Sequence, residues 1–163
     1  MRPSSRELWK LLHNASQGCD LSKEEIKVAA SYLDNARPGA LANACEIIYR
    51  SSRSTLLRRR ALDTLEKLCR AGGEGEYVVT MLTAMLFVPV KTLSERRSIK
   101  EFLTRCGASR RWQIRVNAIN VLERLAHAGD SKALDSIRVL TGDKNEYVRG
   151  NSLNSMSRLT SWQ

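Results

Sequence analysis

A stretch of sixteen residues that recurs along the chain constrains the fold more than any other feature of this sequence. Residues 57–72 align with residues 114–129, and seven of the sixteen positions are identical. Residues 114–125 align again with residues 148–159. Amphipathic helices in general share leucine and alanine spacing, but this does not explain the arginine that matches near the start of every copy, at Arg58, Arg115 and Arg149. A repeated helical unit cannot bury its apolar side alone, so we expect the copies to stack.

Signals that start and stop helices occur along the whole length. Ser22-Lys23-Glu24-Glu25 forms a capping box, in which the serine hydroxyl and the glutamate carboxylate each accept a hydrogen bond from a free backbone amide. Similar start signals lie at residues 4–7, 92–95 and 143–146. The stop signals are Gly18, Arg37-Pro38-Gly39, Gly72-Gly73, Gly107 and Gly129.

These signals predict an all-α fold of about nine helices. No window alternates with period two for long enough to indicate a strand, and the chain has only 9 Gly and 3 Pro for the turns of a β fold. The helix near residues 75–88 is apolar on nearly every side, which predicts that it is buried. The predicted helices span roughly 5–17, 22–35, 39–51, 54–71, 75–88, 93–106, 110–128, 131–141 and 146–160.

Two of the copies open with the same short pattern. Val148-Arg149 is followed by Ser152-Leu153, and Ile114-Arg115 by Ala118-Ile119. This pattern, with the helix that precedes it, resembles a HEAT repeat. The resemblance is clearest over residues 93–160 and fair over 39–72.

The resemblance implies a single domain over residues 1–163, a short right-handed superhelical solenoid of antiparallel helix pairs. Residues 1–38 would form capping helices, and residues 39–160 the repeats, with an irregular helix near 75–88. It also implies that Arg115 and Arg149 are structural and that Asp143 is a plausible acidic partner in the turn.

Positive charge is concentrated in the middle of the chain. The whole chain carries a formal net charge of +10, and residues 51–115 hold 14 basic and 6 acidic residues, a net of +8. Such a surface suits an anionic partner, either a nucleic acid or an acidic protein. The alternative is a solvated helix face. The residues that we expect to bind the partner are Arg59, Arg60, Arg96, Arg97, Arg110, Arg111 and Trp112.

The tryptophans have two interpretations each. Trp112 follows two arginines, so it fits a base-stacking or interface-anchoring role, but it also fits packing at a helix start. Trp9 has leucines at helical spacing and is expected to pack in the core or at its cap. Trp162 is expected to cover the last helix.

Little in the sequence favours catalysis or a metal site. The four cysteines contain no CxxC pair and the two histidines stand apart, so we expect no metal and no cofactor. Cys45, Cys69 and Cys106 fall within apolar helical patterns and are expected to be buried as free thiols. No phosphate-binding loop or GxSxG motif occurs. A HEAT-like DNA glycosylase, with Trp112 and Asp63 in a basic cleft, is the enzyme alternative.

Two functions from different classes follow. The first is a non-enzymatic recognition module, such as an adaptor, inhibitor or immunity-type protein, that binds an acidic partner protein. The second is a nucleic-acid-binding protein that uses the basic residues of 51–115 on the phosphate backbone. We expect no membrane span, no small-molecule substrate and, with reduced thiols and no apolar signal at the start, a cytoplasmic location.

Overall fold

In the computed structural model, residues 5–34, 37–71 and 76–161 are described, and every regular element in these ranges is an α-helix. The predicted all-α fold is therefore confirmed. The helices are α1 (Ser5–Ser16), α2 (Lys23–Ser31), α3 (Pro38–Ser51), α4 (Thr55–Ala71), α5 (Glu76–Met85), α6 (Val90–Ser94), α7 (Arg97–Gly107), α8 (Trp112–His127), α9 (Ser131–Leu140) and α10 (Glu146–Thr160).

The chain forms two compact units, an N-terminal unit of Met1–Val88 and a C-terminal unit of Pro89–Gln163. No helix in the described ranges is both long and apolar enough to cross a bilayer.

Helix ends follow the predicted signals where these are local. Ser22 and Glu25 form the expected capping box at the start of α2. Gly18 and Gly129 adopt φ values of +75° and +89°, which glycine tolerates without a Cβ clash. Beyond Gly129, the Asp130 amide donates to the Leu125 carbonyl at 3.0 Å, so the last carbonyls of α8 are satisfied as the chain turns.

The predicted helix over residues 93–106 is interrupted. The start signal at residues 92–95 overlaps the short helix α6, in which Leu93 is buried. The chain then turns at Glu95, and α7 begins at Arg97. The signal at residues 4–7 begins outside the described residues, as does the stop at Gly72-Gly73.

The N-terminal unit is built around α3, which contacts α1, α2, α4 and α5. Small and branched side chains let these helices approach, since Ala42, Ala44 and Ile48 are all fully buried. Helix α5 packs against α3 and buries Met81 and Met85, as its apolar sequence predicts.

Three of the four cysteines belong to the cores of the two units. Cys45, Cys69 and Cys106 are buried, as predicted, whereas Cys19 is exposed. Burial, with a smaller contribution from Cys69, raises the pKa of the Cys45 thiol to about 12, and its Sγ donates to the Ala61 carbonyl at 3.3 Å. Cys45 is therefore an unreactive core side chain.

The prediction for Trp9 is wrong. Helix α1 buries Leu8, Leu11 and Ala15, which lie on one face at helical spacing. Trp9 points away from that face and is 64% exposed. Trp162 lies outside the described residues.

The C-terminal unit is built around α8, which contacts α6, α7, α9 and α10. Arg115, in the first turn of α8, bonds Asp143, just before α10. Glu123, two turns further along α8, bonds Arg158 near the end of α10. Helices α8 and α10 are therefore parallel neighbours, and α9 connects the end of α8 to the start of α10. Their shared core includes Ile119, Leu140 and Val148, with Val116 packed against it.

Leu125 tests the packing of this unit. It is 1% exposed, so Leu125→Ala should lower the free energy of unfolding by about 2–5 kcal/mol through lost burial and the cavity left behind. Leu153 is 55% exposed, and Leu153→Ala should change it by less than about 0.5 kcal/mol. Urea denaturation followed by circular dichroism measures both, and equal effects would contradict the packing described.

Candidate binding surface

A buried ion pair holds the starts of α8 and α10 together. The Nε and Nη2 atoms of Arg115 donate to the two carboxylate oxygens of Asp143, both at 2.8 Å. The Nη1 atom donates to the carbonyl oxygens of Ser109 at 2.6 Å and Arg110 at 3.3 Å. Only 6% of the Arg115 side chain and 11% of the Asp143 side chain are exposed. The expected pairing of Arg115 with Asp143 is therefore present, and we call it the clamp.

The clamp keeps its carboxylate ionised. The bond from Arg115 is the main cause that lowers the pKa of Asp143, and the backbone amide of Asn145 also donates to this carboxylate at 2.8 Å. The signal at residues 143–146 predicted Asp143 as the cap of α10, and this prediction is wrong. Asn145 is the cap, and its Oδ1 accepts from the amides of Tyr147 and Val148.

The turn before α10 repeats the turn before α8. Arg149 Nη1 donates to the carbonyls of Asp143 at 2.7 Å and Lys144 at 2.9 Å, six and five residues earlier in the chain. Arg115 makes the same two bonds to the carbonyls six and five residues before it. The expected structural role of Arg149 is thus matched by its bonds, and the repetition seen in the sequence extends to hydrogen bonds.

The copy in the N-terminal unit lacks the acid of the clamp. Ser52 Oγ accepts from the Ser54 amide at 3.1 Å, as Ser109 Oγ accepts from the Arg111 amide. Arg58 occupies the position of Arg115, but its buried Nε has no hydrogen-bond partner among the described residues. If the offset of 57 residues is continued beyond the aligned stretch, Leu86 takes the place of Asp143 and supplies no carboxylate.

The starts of α8 and α10 carry an exposed aromatic pair. Trp112 is the first residue of α8 and is 37% exposed, and Tyr147 on α10 is 58% exposed. Their rings stack with centroids 5.2 Å apart and planes 22° apart. The adjacent turns add Arg110, Arg111 and Lys144, all exposed. We call these five residues the aromatic–basic edge.

The remaining predicted arginines lie elsewhere. Arg59 on α4 is exposed, and Arg60 on the same helix bonds Asp34. Arg96 is half-buried before α7, and Arg97 bonds Glu101 at 2.8 Å.

Within the C-terminal unit, the two arginine pairs are not brought together. Arg97 begins α7, and Arg110 follows its end. Eleven residues of helix, about 16 Å, separate these ends. Arg110, Arg111 and Trp112 alone among the predicted residues gather with a second aromatic side chain in the described part of this unit.

A concave groove lies among α7, α8 and α9. This groove has a volume of about 700 Å³ and a floor that includes Leu103, Leu122 and Leu125. Basic and acidic residues both line it, and Lys100 Nζ lies 3.8 Å from Asp130 Oδ2. In the described ranges, no three His, Cys, Asp or Glu side chains gather as a metal site would need.

Sequence reasoning missed Tyr147 and Lys144. Their signal was the repeat itself, because residues 143–149 align with 109–115 and so place a second turn beside the predicted Arg110-Arg111-Trp112. Only the parallel packing of α8 and α10 shows that Tyr147 meets Trp112.

Asp143→Asn tests the clamp. The substitution leaves Arg115 buried without a counter-charge, so the free energy of unfolding should fall by about 3–5 kcal/mol at pH 7. Asp135→Asn is the matched control, because the Asp135–Arg138 pair is exposed and should contribute about 0–1 kcal/mol.

The Arg115–Asp143 and Arg158–Glu123 pairs predict that the stability of the fold depends on pH. The pKa values of Asp143 and Glu123 are lowered in the folded chain, mainly by bonds from Arg115 and Arg158. Their contribution is therefore present above the unfolded pKa of about 4 and is lost as pH falls through the lowered values. Asp143→Asn should reduce this loss of stability in acid, as measured by urea denaturation from pH 7 to pH 2. An unchanged acid profile would contradict this role for Asp143.

Comparison with protein-family models, curated proteins and solved structures finds no match to this chain. The resemblance to HEAT repeats therefore stays a prediction.

Proposed function

We propose that this chain is a non-enzymatic recognition module, a short right-handed HEAT-like solenoid, that binds an acidic partner protein. The proposed site is the aromatic–basic edge of the C-terminal unit. The repeated bonds of Arg115 and Arg149 support a repeat architecture there. Buried cysteine thiols in both units support the cytoplasmic location that we include in the proposal.

The exposed Trp112–Tyr147 pair carries this proposal. Tryptophan, tyrosine and arginine are the side chains that contribute most binding energy in protein interfaces. Here the rings of Trp112 and Tyr147 stack and stay partly exposed, and Arg110 and Arg111 lie in the adjacent turn. The clamp fixes the backbone below, so little conformational entropy would be lost when a partner covers the pair.

The basic residues of the edge indicate the charge of the partner. Arg110, Arg111 and Lys144 are exposed. Arg60 and Arg97 are exposed as well, but each bonds a carboxylate of this chain. Unpartnered cations at an interface rim steer an acidic surface into contact. Two acidic residues lie beside this group in sequence: Asp143, which is bonded to Arg115, and Glu146, which is exposed.

Nucleic-acid binding is the second candidate. The formal charge of +10 and the exposed Arg59, Arg110 and Arg111 favour it, because phosphate binding requires such cations. The stacked rings favour the protein instead. Trp112 and Tyr147 already occupy one face of each other, which leaves less ring surface for bases than an open stacking platform offers.

Trp112→Ala tests the proposed site, and Trp9→Ala is its control, since Trp9 is exposed on the other unit. Full-length chain carrying either substitution is used to capture partners from native lysate, with and without nuclease. A protein that wild type retains after nuclease treatment should be lost by Trp112→Ala and kept by Trp9→Ala.

The same experiment includes Arg110→Ala/Arg111→Ala, which should slow association with the captured protein by removing rim charges. Partners that disappear with nuclease would favour nucleic acid. In that case each lost phosphate contact should lower the slope of log K against log salt by about 0.9 for duplex. Equal capture by Trp112→Ala and wild type would contradict the proposed site.

A further inference from the structure

Four asparagines occupy matching positions on the parallel helices α8 and α10. Asn117 corresponds to Asn151 and Asn120 to Asn154, both at the repeat offset of 34 residues. Asn120, Asn151 and Asn154 are exposed, and Asn117 is half-buried. We call these four residues the asparagine array.

Packing does not explain the three exposed members of the array, Asn120, Asn151 and Asn154. Identical residues at buried positions of two copies are expected, because both copies fill similar cores. Exposed positions have no such requirement, and asparagine is a poorer helix former than alanine, lysine or glutamate. Its repetition at two positions therefore indicates a role in contacts with another molecule.

Two side chains of the array, Asn117 and Asn151, are oriented by bonds within their own helices. Asn117 Nδ2 donates to the Gln113 carbonyl at 2.8 Å, and Asn151 Nδ2 donates to the Tyr147 carbonyl at 2.7 Å. These equivalent bonds orient both amides and leave each Oδ1 and a second N–H for a ligand. The side chains of Asn120 and Asn154 make no hydrogen bond to any residue that the structure describes.

The spacing of the array suits an extended peptide. Neighbouring helices lie about 8–10 Å apart, and an extended chain advances about 3.3 Å per residue, so roughly three peptide residues cross from α8 to α10. A peptide group presents one donor and one acceptor, and a carboxamide matches both. Phosphate oxygens only accept, so they would leave the carboxamide oxygens unmatched.

The charge beside the array indicates the composition of that peptide. Tyr147 accepts the bond from Asn151, so the array begins one helical turn from the aromatic–basic edge. The exposed Arg110, Arg111 and Lys144 of that edge are complementary to acidic side chains. We propose that the asparagine array binds the backbone of an extended acidic segment of the partner, an inference that rests on the proposed function.

The test uses the full chain and a phage-displayed library of linear twelve-residue peptides enriched in Asp and Glu. The tightest peptide selected is synthesised with a fluorescent label, and its affinity is measured by anisotropy. Asn120→Ala and Asn154→Ala should each weaken binding about two- to tenfold, as expected for one lost hydrogen bond. Asn14→Ala, on α1, is the matched control and should leave the affinity unchanged.

Thermal melting separates binding from folding in these variants. Since alanine is the better helix former, Asn120→Ala and Asn154→Ala should melt at the same temperature as wild type or higher. Weaker binding together with a lower melting temperature would assign these residues a structural role and overturn the proposal. N-methylation of the peptide amides that face the array should weaken binding to wild type more than to Asn120→Ala/Asn154→Ala.

The remaining outcomes separate the array from the proposed function. A peptide whose binding depends on Trp112 but not on the asparagines would overturn the array alone. Failure of every linear peptide to bind would overturn the extended-segment proposal, while the capture experiment with Trp112→Ala decides the proposed function independently. If a labelled oligothymidine binds more tightly than the selected peptide, and its binding depends on the asparagines, the extended-segment proposal is overturned in favour of nucleic acid.

Discussion

The paired bonds between Arg115 and Asp143 connect helix α8 to the turn before α10, across 28 residues of sequence. Because the same guanidinium also satisfies carbonyls of the turn before α8, one side chain fixes both the entry of α8 and its alignment with α10. That alignment places Trp112 against Tyr147. An ionised carboxylate is required throughout, and Arg115 keeps the pKa of Asp143 low.

Local chemistry explains which parts of the fold were predictable. The capping box at Ser22 and the positive-φ glycines act within one turn, so sequence alone identified them. Trp9 was misassigned because helical spacing with leucines does not reveal which face of α1 is buried. The partnership of Arg115 with Asp143 was predicted from the resemblance to a known repeat. The Trp112–Tyr147 contact depends on how α8 and α10 pack, which no short window encodes.

The distribution of charge shows why composition alone did not identify which arginines belong to the proposed site. Arginines that look equivalent in sequence differ in structure, since all four are exposed but only Arg60 and Arg97 bond a carboxylate, whereas Arg110 and Arg111 lie beside the stacked rings. Arg58 keeps the position of the clamp arginine without its acid. The repeat thus supplies a scaffold, and its copies differ in which groups remain for a partner.

The stacking of Trp112 on Tyr147 is the most direct consequence of the clamped, parallel pair of helices. Proton NMR measures it through nuclear Overhauser cross-peaks between the indole of Trp112 and the ring of Tyr147, assigned by their loss in Trp112→Ala. Ring centroids 5.2 Å apart predict strong cross-peaks in the wild-type chain. Their absence, with both rings assigned in a folded sample, would contradict the arrangement of α8 and α10 on which the binding surface depends.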